Sequence, residues 1–340
     1  MITFAQAFIY GLNKFLSSSK KNMLFGLEVT NEGVGLKEKF DKQVYETPVS
    51  ELSSTGLCVG LATKGFRPHM AFGRIEFAML AFDQIFTQAG RWEYSFGGNY
   101  NCPITFRIQV GRQWGNGPQH TCNYHSMFAQ SYGIDLSIPS TPQEAYDATI
   151  RSIKIKKPLI ILEHRHLALI KQKIKKNKLP KNKGFKIYGD KIKSKILVVT
   201  YADTLIDALK AKKFLAEKGI NITIINFSYF SSSKRVSDKA INFARKFKKI
   251  IFFDSAPFEF GILSGVMSVF SLKFKADFYA LSPKNIPAPA ATYLLKNYYK
   301  NHLDLINYCY KILNSKNKPF KKISFNEAIL MPILNFDELL

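Results

Sequence analysis

Two short segments of the chain contain the side chains best suited to chemistry, and the first contains a glutamate. Glu51 lies in VYETPVSELSSTG and precedes a predicted helix whose residues 52–61 are small or apolar, with Gly56, Cys58 and Gly60 among them. A carboxylate that enters such surroundings should have a raised pKa or a hydrogen-bonded partner, and groups perturbed in this way occur at functional sites. The commoner explanation is a glutamate in the first turn of a helix, where the helix dipole favours negative charge.

The second segment, GPQHT, contains a histidine in a loop that follows a predicted strand. His120 therefore lies beyond the carboxyl end of a strand, which is where ligands bind in open α/β sheets. His164 and His166 of EHRHL alternate at the end of another predicted strand, but ordinary polar packing explains them better than metal ligation. Residue spacing alone leaves the functional and the structural explanations of Glu51 and His120 open.

These residues must be positioned by strands and helices that alternate along the chain. Strand patterns occur at 23–29, 69–72, 104–110, 158–163, 195–201, 222–227 and 249–254. Helix patterns occur at 55–64, 75–88, 139–154, 202–219, 240–248 and 261–270. Such alternation predicts parallel sheets with right-handed crossovers. Eleven lysines in residues 171–195 indicate a linker, so we predict an α/β domain at 1–175, a lysine-rich linker at 176–194 and a smaller α/β domain at 195–340.

Composition and charge exclude several classes of protein. The chain has 340 residues and is 46% hydrophobic, which is enough for two packed cores and too apolar for general disorder. Its formal net charge is +24, but only nine of the 49 basic residues are arginines, so a solvated lysine surface is favoured over a nucleic-acid site. Four widely spaced cysteines favour neither a zinc site nor disulfides. The sequence shows no signal peptide or membrane span, so we expect a soluble, cytoplasmic protein with no membrane partner.

Six segments, taken together and in order, resemble one family. They are TPVSE (47–51), GFRPHMAF (65–72), FDQIFTQAG (82–90), GPQH (117–120), PSTPQEAYD (139–147) and PLIILEHR (158–165). The chain is similar to the β subunit of the thiamin-diphosphate-dependent decarboxylating component of 2-oxo acid dehydrogenases, of the pyruvate, branched-chain and acetoin types, in the transketolase-like superfamily. ILVVTYADTLIDALKA, FLAEKGINITIINF and KNIPAPA extend the likeness into the second half. The resemblance implies a pyrimidine-binding parallel-sheet domain followed by a smaller transketolase C-terminal-type α/β domain.

The resemblance also implies roles for individual residues. Glu51 falls on the glutamate that hydrogen-bonds the aminopyrimidine ring of thiamin diphosphate and helps to generate its reactive carbanion, a role that needs a buried and partly protonated carboxyl group. Phe77 falls on the aromatic residue that packs on this ring, although it would also suit the core of a helix. His120 matches the histidine that assists proton transfer and acyl transfer to the lipoyl arm. Gly73 occupies a position where a bulkier residue that packs on the cofactor is common, so the glycine would enlarge the pocket.

Other parts of the family's active site are missing or altered. The chain has no GDG…N motif for diphosphate and Mg²⁺, so the resemblance implies an α subunit that holds both, in an α2β2 heterotetramer with the cofactor between the subunits. The family's cation loop reads IRSIKIKKP at 150–158, which puts a bound K⁺ in doubt. The C-terminal FDELL contains Asp337 and Glu338 at the end where related subunits can dock an acyltransferase, although a solvated acidic tail would explain them equally.

The leading hypothesis is a β subunit that, with its α subunit, decarboxylates a small 2-oxo acid and transfers the acyl group to lipoyl-lysine. The alternative within the same chemistry is a two-subunit carboligase or transketolase-like biosynthetic enzyme that needs no lipoyl partner. A degenerate subunit that only scaffolds an α partner is less favoured, because Glu51, Phe77 and His120 are all retained. A nucleic-acid-binding module would depend on net charge alone.

Overall fold

The computed structural model describes residues 1–32, 35–112, 116–176, 184–190, 194–315 and 331–340. Its strands are β1 (Ile2–Thr3), β2 (Asn22–Gly26), β3 (Val44–Glu46), β4 (Arg67–Phe72), β5 (Thr105–Val110), β6 (Asp135–Ser137), β7 (Leu159–His164), β8 (Lys171–Gln172), β9 (Phe185–Tyr188), β10 (Ile196–Thr200), β11 (Ile222–Phe227), β12 (Tyr229–Phe230), β13 (Lys249–Phe253) and β14 (Asp277–Leu281). Its α-helices are α1 (Phe4–Ser18), α2 (Val29–Glu32), α3 (Leu36–Lys39), α4 (Glu51–Thr63), α5 (Ile75–Ala78), α6 (Gly90–Ser95), α7 (His125–Ala129), α8 (Pro142–Arg151), α9 (Thr204–Glu217), α10 (Asp238–Ala244), α11 (Ile262–Ser271), α12 (Thr292–Tyr298) and α13 (His302–Ile312). None of the helices described is long and apolar enough to cross a membrane. The alternation of strands and helices confirms the α/β fold class.

Seven of the described strands form the first sheet, in the order β12-β6-β7-β5-β4-β2-β3. Neighbouring strands in it are parallel except β12, which pairs antiparallel with β6. Every residue of β7 is buried, as the apolar run PLIIL before Glu163 predicts for a strand that is covered on both faces. Parallel pairing places the carboxyl ends of β2, β4, β5 and β7 at one edge, so the loops that follow these strands lie side by side.

The sequence predicts one regular helix at 75–88, and this prediction is wrong. The structure instead has α5, a 3-10 turn at Met79–Ala81, a π-helical segment at Asp83–Ala89 and then α6. The buried side chains of this region are Ile75, Ala78, Ala81, Ile85 and Ala89. Their spacing widens from three residues to four along the chain. A 3-10 turn takes three residues and a π turn takes more than the 3.6 of an α-helix, so the irregular winding keeps all of these side chains on the core.

The second sheet has the order β14-β13-β10-β11-β9, and of these described strands only β9 runs antiparallel to its neighbour. β9 lies inside the segment 176–194 that the sequence predicts as a linker. In its sequence, FKIY, Phe185 and Ile187 are partly buried and Lys186 between them is exposed, as in a strand. The lysines around this short pattern dominate the composition. β12 comes from the second half of the sequence and yet joins the first sheet. One strand of the predicted linker therefore belongs to the second sheet, one strand of the predicted second domain belongs to the first sheet, and the domain boundaries themselves stay a prediction.

The C-terminal residues pack against the first half of the chain. Phe336 is fully buried, and the Asp337 carboxylate accepts hydrogen bonds from Gln172 Nε2 at 3.2 Å and from the Lys173 amide at 3.3 Å. Glu338 accepts a hydrogen bond within the tail itself. Phe336 therefore anchors the tail, while the carboxylates of Asp337 and Glu338 remain exposed.

Gly133, in the turn between α7 and β6, and Gly219, after α9, both have a positive φ, but only Gly133 is closely surrounded by other atoms. Its φ is +71°, and a Cβ there would lie 1.9 Å from the Gly90 carbonyl oxygen. Gly219, after α9, has a φ of +72°, but no described atom lies within 4 Å of its Cβ position. We expect Gly219→Ala to lower the free energy of unfolding by about 1–2 kcal/mol through left-handed strain alone, and Gly133→Ala to lower it by a further ~1–3 kcal/mol. Urea denaturation measures the difference, and equal losses in the two variants would contradict the overlap at Gly133.

Candidate active site

Four residues selected from the sequence, Glu51, Gly73, Phe77 and His120, line one cavity of about 430 Å³. The cavity lies at the carboxyl edge of the first sheet, because Gly73 directly follows β4 and the walls also include residues that follow β2 and β7. Ligands of open α/β sheets bind at this edge. The structure therefore brings these four residues together in a position that suits ligand binding.

Glu51 is the first residue of α4 and is half-buried. The role implied by the resemblance needs a buried carboxyl group, which the apolar segment 52–61 would favour, and in the chain alone the residue is only partly buried, so its burial in an assembled enzyme stays a prediction. The inner face of α4 consists of small or medium side chains such as Cys58, whereas Leu52 and Leu57 are 49% and 58% exposed. Large apolar side chains of α4 are thus exposed, and the residue that begins this helix, Glu51, is only partly buried.

Phe77 and His120 contact each other in the cavity wall. Their rings meet edge to face, with centroids 5.8 Å apart and an interplanar angle of 75°. Phe77 lies in α5, and His120 follows a 3-10 turn at Gly117–Gln119. The Nδ1 atom of His120 is buried and has no hydrogen-bond partner among the described residues. Since buried polar atoms are nearly always hydrogen-bonded, this nitrogen suits a ligand in the cavity.

Gly73 leaves room in the cavity, because no described atom lies within 4 Å of the Cβ that a larger residue would have. The wall also contains polar residues that sequence reasoning missed, namely Arg74, Gln109 and Arg165. Each of them lies near or just beyond the carboxyl end of a strand of the first sheet, β4, β5 or β7. A search of the strand ends for polar side chains would have found all three.

A buried network of charged and polar side chains joins the two halves of the chain. Arg112, two residues after β5, has its Nε 3.1 Å from Asp203 Oδ2 and its Nη2 3.5 Å from Asp207 Oδ2. Asp203 directly precedes α9, and Asp207 lies in the first turn of that helix. His302, at the start of α13, contacts Asp207 Oδ1 through its backbone nitrogen at 3.2 Å and through Nδ1 at 3.3 Å. Two carboxylates of the second half thus hold one guanidinium of the first half.

The two histidines of EHRHL are buried at the same end of β7. His164 Nδ1 lies 3.3 Å from Asp203 Oδ1, and His164 Nε2 lies 2.7 Å from Nε2 of His125. His166 is also buried there, two residues further along the chain. In the part of the chain that the structure describes, no three His, Cys, Asp or Glu side chains are grouped as metal ligands. The structure shows polar packing for His164, and its contacts are to protein groups.

Burial and neighbouring charges set the protonation states in this network. Burial alone would raise the pKa of Asp203, but Arg112 and His164 outweigh it and hold that pKa well below its usual range. Burial alone would lower the pKa of Arg112, but the neighbouring carboxylates raise it. Burial is the main reason why the pKa of His125 and that of His166 fall to about 3. His164 lowers the pKa of His125 further, and Arg112 lowers that of His166 further. At neutral pH an ionised Arg–Asp pair therefore lies beside two uncharged histidines.

Two family models match the chain. The model described as the pyrimidine binding domain of transketolase matches residues 2–169, and the model described as the transketolase C-terminal domain matches residues 187–303. The first range includes Glu51, Gly73, Phe77 and His120, so the whole candidate site described above falls within one matched domain.

Proteins similar in sequence include the pyruvate dehydrogenase E1 component subunit beta of Staphylococcus aureus. It is 30% identical over 233 residues, which are 66% of this chain and 71% of that protein. The subunit of the same name from Staphylococcus epidermidis matches with the same identity and coverage. The similarity therefore extends over two thirds or more of these relatives.

Solved structures share the fold at lower identity. A split gene transketolase, described as an inactive β4 tetramer, has a TM-score of 0.76 and 14% identity and covers 93% of this chain and 99% of its own. A transketolase variant from Pichia stipitis has a TM-score of 0.69 and 13% identity, and this chain corresponds to 48% of its length. At these identities the likeness shows the two-domain fold alone.

The buried uncharged histidines make the stability of the chain depend on pH. In the unfolded chain a histidine binds its proton below about pH 6.5, whereas folded His125 and His166 stay neutral until about pH 3. The unfolded state therefore binds more protons, and we expect the free energy of unfolding to fall as the pH is lowered from about 7 to about 5, by up to ~1.4 kcal/mol per pH unit for each such histidine. Urea denaturation across this range measures the slope, and His125→Gln should reduce it. An unchanged slope in that variant would contradict the burial of a neutral His125.

Proposed function

This chain belongs to the transketolase-like family of pyruvate dehydrogenase E1 component β subunits, and from this membership we propose that it is the β subunit of a thiamin-diphosphate-dependent 2-oxo acid dehydrogenase component. In this proposal the chain and its α subunit decarboxylate a 2-oxo acid and transfer the acyl group to lipoyl-lysine. The observation that carries the proposal is the single cavity lined by Glu51, Phe77 and His120, inside the range that the pyrimidine-binding model matches.

The residues of the cavity fit the pyrimidine end of thiamin diphosphate. A volume of about 430 Å³ lies within the usual range for small-molecule sites, and the space beside Gly73 is open. The buried Nδ1 of His120, which lacks a partner in the described chain, could bond to a polar ligand atom. Phe77 would pack on the aminopyrimidine ring, and Glu51 would hydrogen-bond its ring nitrogen. When bound, the cofactor supplies the electron sink that decarboxylation of a 2-oxo acid requires.

Glu51 and His120 would perform separate proton-handling tasks. Glu51 would hold a proton at the pyrimidine ring nitrogen, because only a protonated carboxyl group can donate that hydrogen bond. A subunit packed over α4 would remove water from Glu51, and exclusion of water favours the neutral form of a carboxyl group. His120 would hold or move a proton at the reacting centre through a ring nitrogen.

Exposed apolar side chains around the cavity support an α subunit as the partner. Val49, Leu52, Leu57 and Leu80 are between 49% and 78% exposed, and they lie in or next to the elements that contain Glu51 and Phe77. Large apolar side chains exposed in one region are typical of protein interfaces. We propose that an α subunit covers them in an α2β2 heterotetramer and supplies the diphosphate and Mg²⁺ site, for which this sequence has no GDG…N motif.

Two further partners receive less support. Asp337 and Glu338 of the tail are exposed and each accepts a hydrogen bond within the chain, so they support anchoring of the tail as much as docking of a lipoyl acyltransferase there. At the altered cation loop, Lys157 Nζ lies 3.4 Å from Asp135 Oδ1, so a lysine ammonium already provides positive charge at that place. We therefore propose no K⁺ for this chain.

The variant Glu51→Gln tests the proposed reaction in the co-expressed αβ enzyme. Glutamine keeps the size of the side chain and removes the acidic proton, so we expect kcat for 2-oxo acid-dependent dye reduction to fall by about 10²–10⁴-fold. Glu93→Gln makes the same chemical change at an exposed position of α6 and should leave kcat unchanged. If Glu51→Gln retains the activity of the wild type, the proposed role of the carboxyl group is wrong.

A purified lipoyl domain distinguishes acyl transfer from the carboligase alternative. With a 2-oxo acid and the αβ enzyme, we expect mass spectrometry to detect an S-acyl lipoyl group. His120→Ala should slow this transfer by about tenfold or more beyond its effect on dye reduction, because the histidine assists the proton movements of the transfer. A carbon–carbon-bonded product without any acyl-lipoyl species would instead identify a biosynthetic carboligase or transketolase-like enzyme.

A further inference from the structure

The segment that contains His120 is held on both sides by residues from the second half of the chain. Before His120, the buried guanidinium of Arg112 pairs with Asp203 at 3.1 Å. After His120, the side-chain amide of Asn123 donates a hydrogen bond of 3.0 Å to the carbonyl oxygen of Ser255. The cavity wall at His120 thus depends on contacts that the first sheet does not provide.

Both sets of contacts converge on one carboxylate, that of Asp203. Its Oδ2 pairs with Arg112, and its Oδ1 accepts a hydrogen bond of 2.7 Å from Ser255 Oγ. The same Oδ1 lies 3.3 Å from Nδ1 of His164, whose Nε2 contacts His125 at the start of α7. Asp203 is only 1% exposed, so these contacts are shielded from solvent and directional.

We propose that Asp203 is a positioning residue, which fixes the backbone segment around His120 and so directs the His120 ring into the cavity. The inference rests on the proposed function in one respect, namely that His120 takes part in the reaction. The ring depends on its backbone for its position, because Nδ1 has no partner in the described segments and the ring contacts Phe77 only edge to face. A displacement of this segment by about 1 Å would therefore move the ring away from a reacting group, and such displacements can reduce rates about 100-fold.

Hydrogen exchange of the full-length chain tests this mechanical connection without any need for activity. In Asp203→Asn, the guanidinium of Arg112 loses its closest charge partner. We expect the backbone amides of residues 116–125 to exchange about tenfold faster than in the wild type, because only Asp207, at 3.5 Å, still pairs with the buried guanidinium, and a buried charge with less compensation favours local opening.

Asp135→Asn is a matched control. Asp135 is also buried, and it also joins the two halves of the chain, by accepting a hydrogen bond of 2.8 Å from the Ser232 amide and by pairing with Lys157 on its own side. Its contacts in the described chain lie outside residues 111–125. This variant should therefore leave exchange at residues 116–125 at the rate of the wild type.

The double variant Arg112→Met/Asp203→Asn separates positioning from stability. Removal of one partner leaves a buried charge, whereas removal of both recovers much of the lost stability. We expect the double variant to regain most of the lost thermal midpoint, because Asp207 keeps its contacts with His302, while kcat of the αβ enzyme stays on the order of 100-fold lower and KM for thiamin diphosphate stays near its original value. If Asp203→Asn does not fold, Ser255→Ala gives a milder test, because it removes one hydrogen bond to the same carboxylate and leaves the charge pair intact.

Three results would overturn the role of Asp203. They are unchanged exchange at residues 116–125 in a folded variant, faster exchange throughout the chain, and recovery of kcat together with the thermal midpoint in the double variant. An αβ enzyme that is inactive with every 2-oxo acid would instead overturn the proposed function. In that case the exchange measurements would still decide whether Asp203 holds the segment of His120.

Discussion

The parallel pairing of β2, β4, β5 and β7 is the constraint on which the candidate site depends. Parallel strands end at one edge of the sheet, so four loops that are distant in the sequence are brought side by side there. Gly73, Phe77 and His120 follow two of these strands, and Arg165 follows a third. The strands are mostly buried, which gives the loops a rigid base. The side chains of the candidate site can therefore lie in loops, where backbone geometry is least regular, and still be held in fixed positions.

The same edge also fits the proposal that the chain forms half of an active site. The cavity wall includes half-buried Glu51, and Leu52 and Leu57 of the helix that this residue begins are exposed. A carboxyl group whose task is to hold a proton needs a drier environment than a half-buried position provides. An opposing subunit would supply apolar cover for the leucines and exclude water from Glu51 in one step. Under the proposed function, the exposed leucines and the half-buried glutamate have one common explanation, a surface that the α subunit covers.

Local patterns predicted the fold better than the site, for reasons that particular segments show. PLIILE predicted a buried strand because an apolar run is a local property of the sequence. β9 was missed because four alternating residues do not emerge from a lysine-rich background. The segments around Glu51 and His120 carried family motifs, but the exposure of Glu51 depends on how α4 packs, which its own sequence does not specify. The pair of Arg112 and Asp203 joins residues 91 apart in the sequence, and no short-range pattern signals it.

A buried ion pair is a weak means of stabilising a fold, which makes the pair of Arg112 and Asp203 informative. The desolvation of two charges offsets most of their attraction, and apolar residues of equal volume often stabilise as well or better. An apolar contact, however, has no preferred direction and would let neighbouring segments slide. The two oxygens of Asp203 bind different partners, so a rotation of the carboxylate would break both contacts. One partner is Arg112, which precedes His120, and the other is Ser255, whose carbonyl oxygen holds Asn123 after His120. Such geometry accounts for the position of a loop more directly than for the stability of the chain.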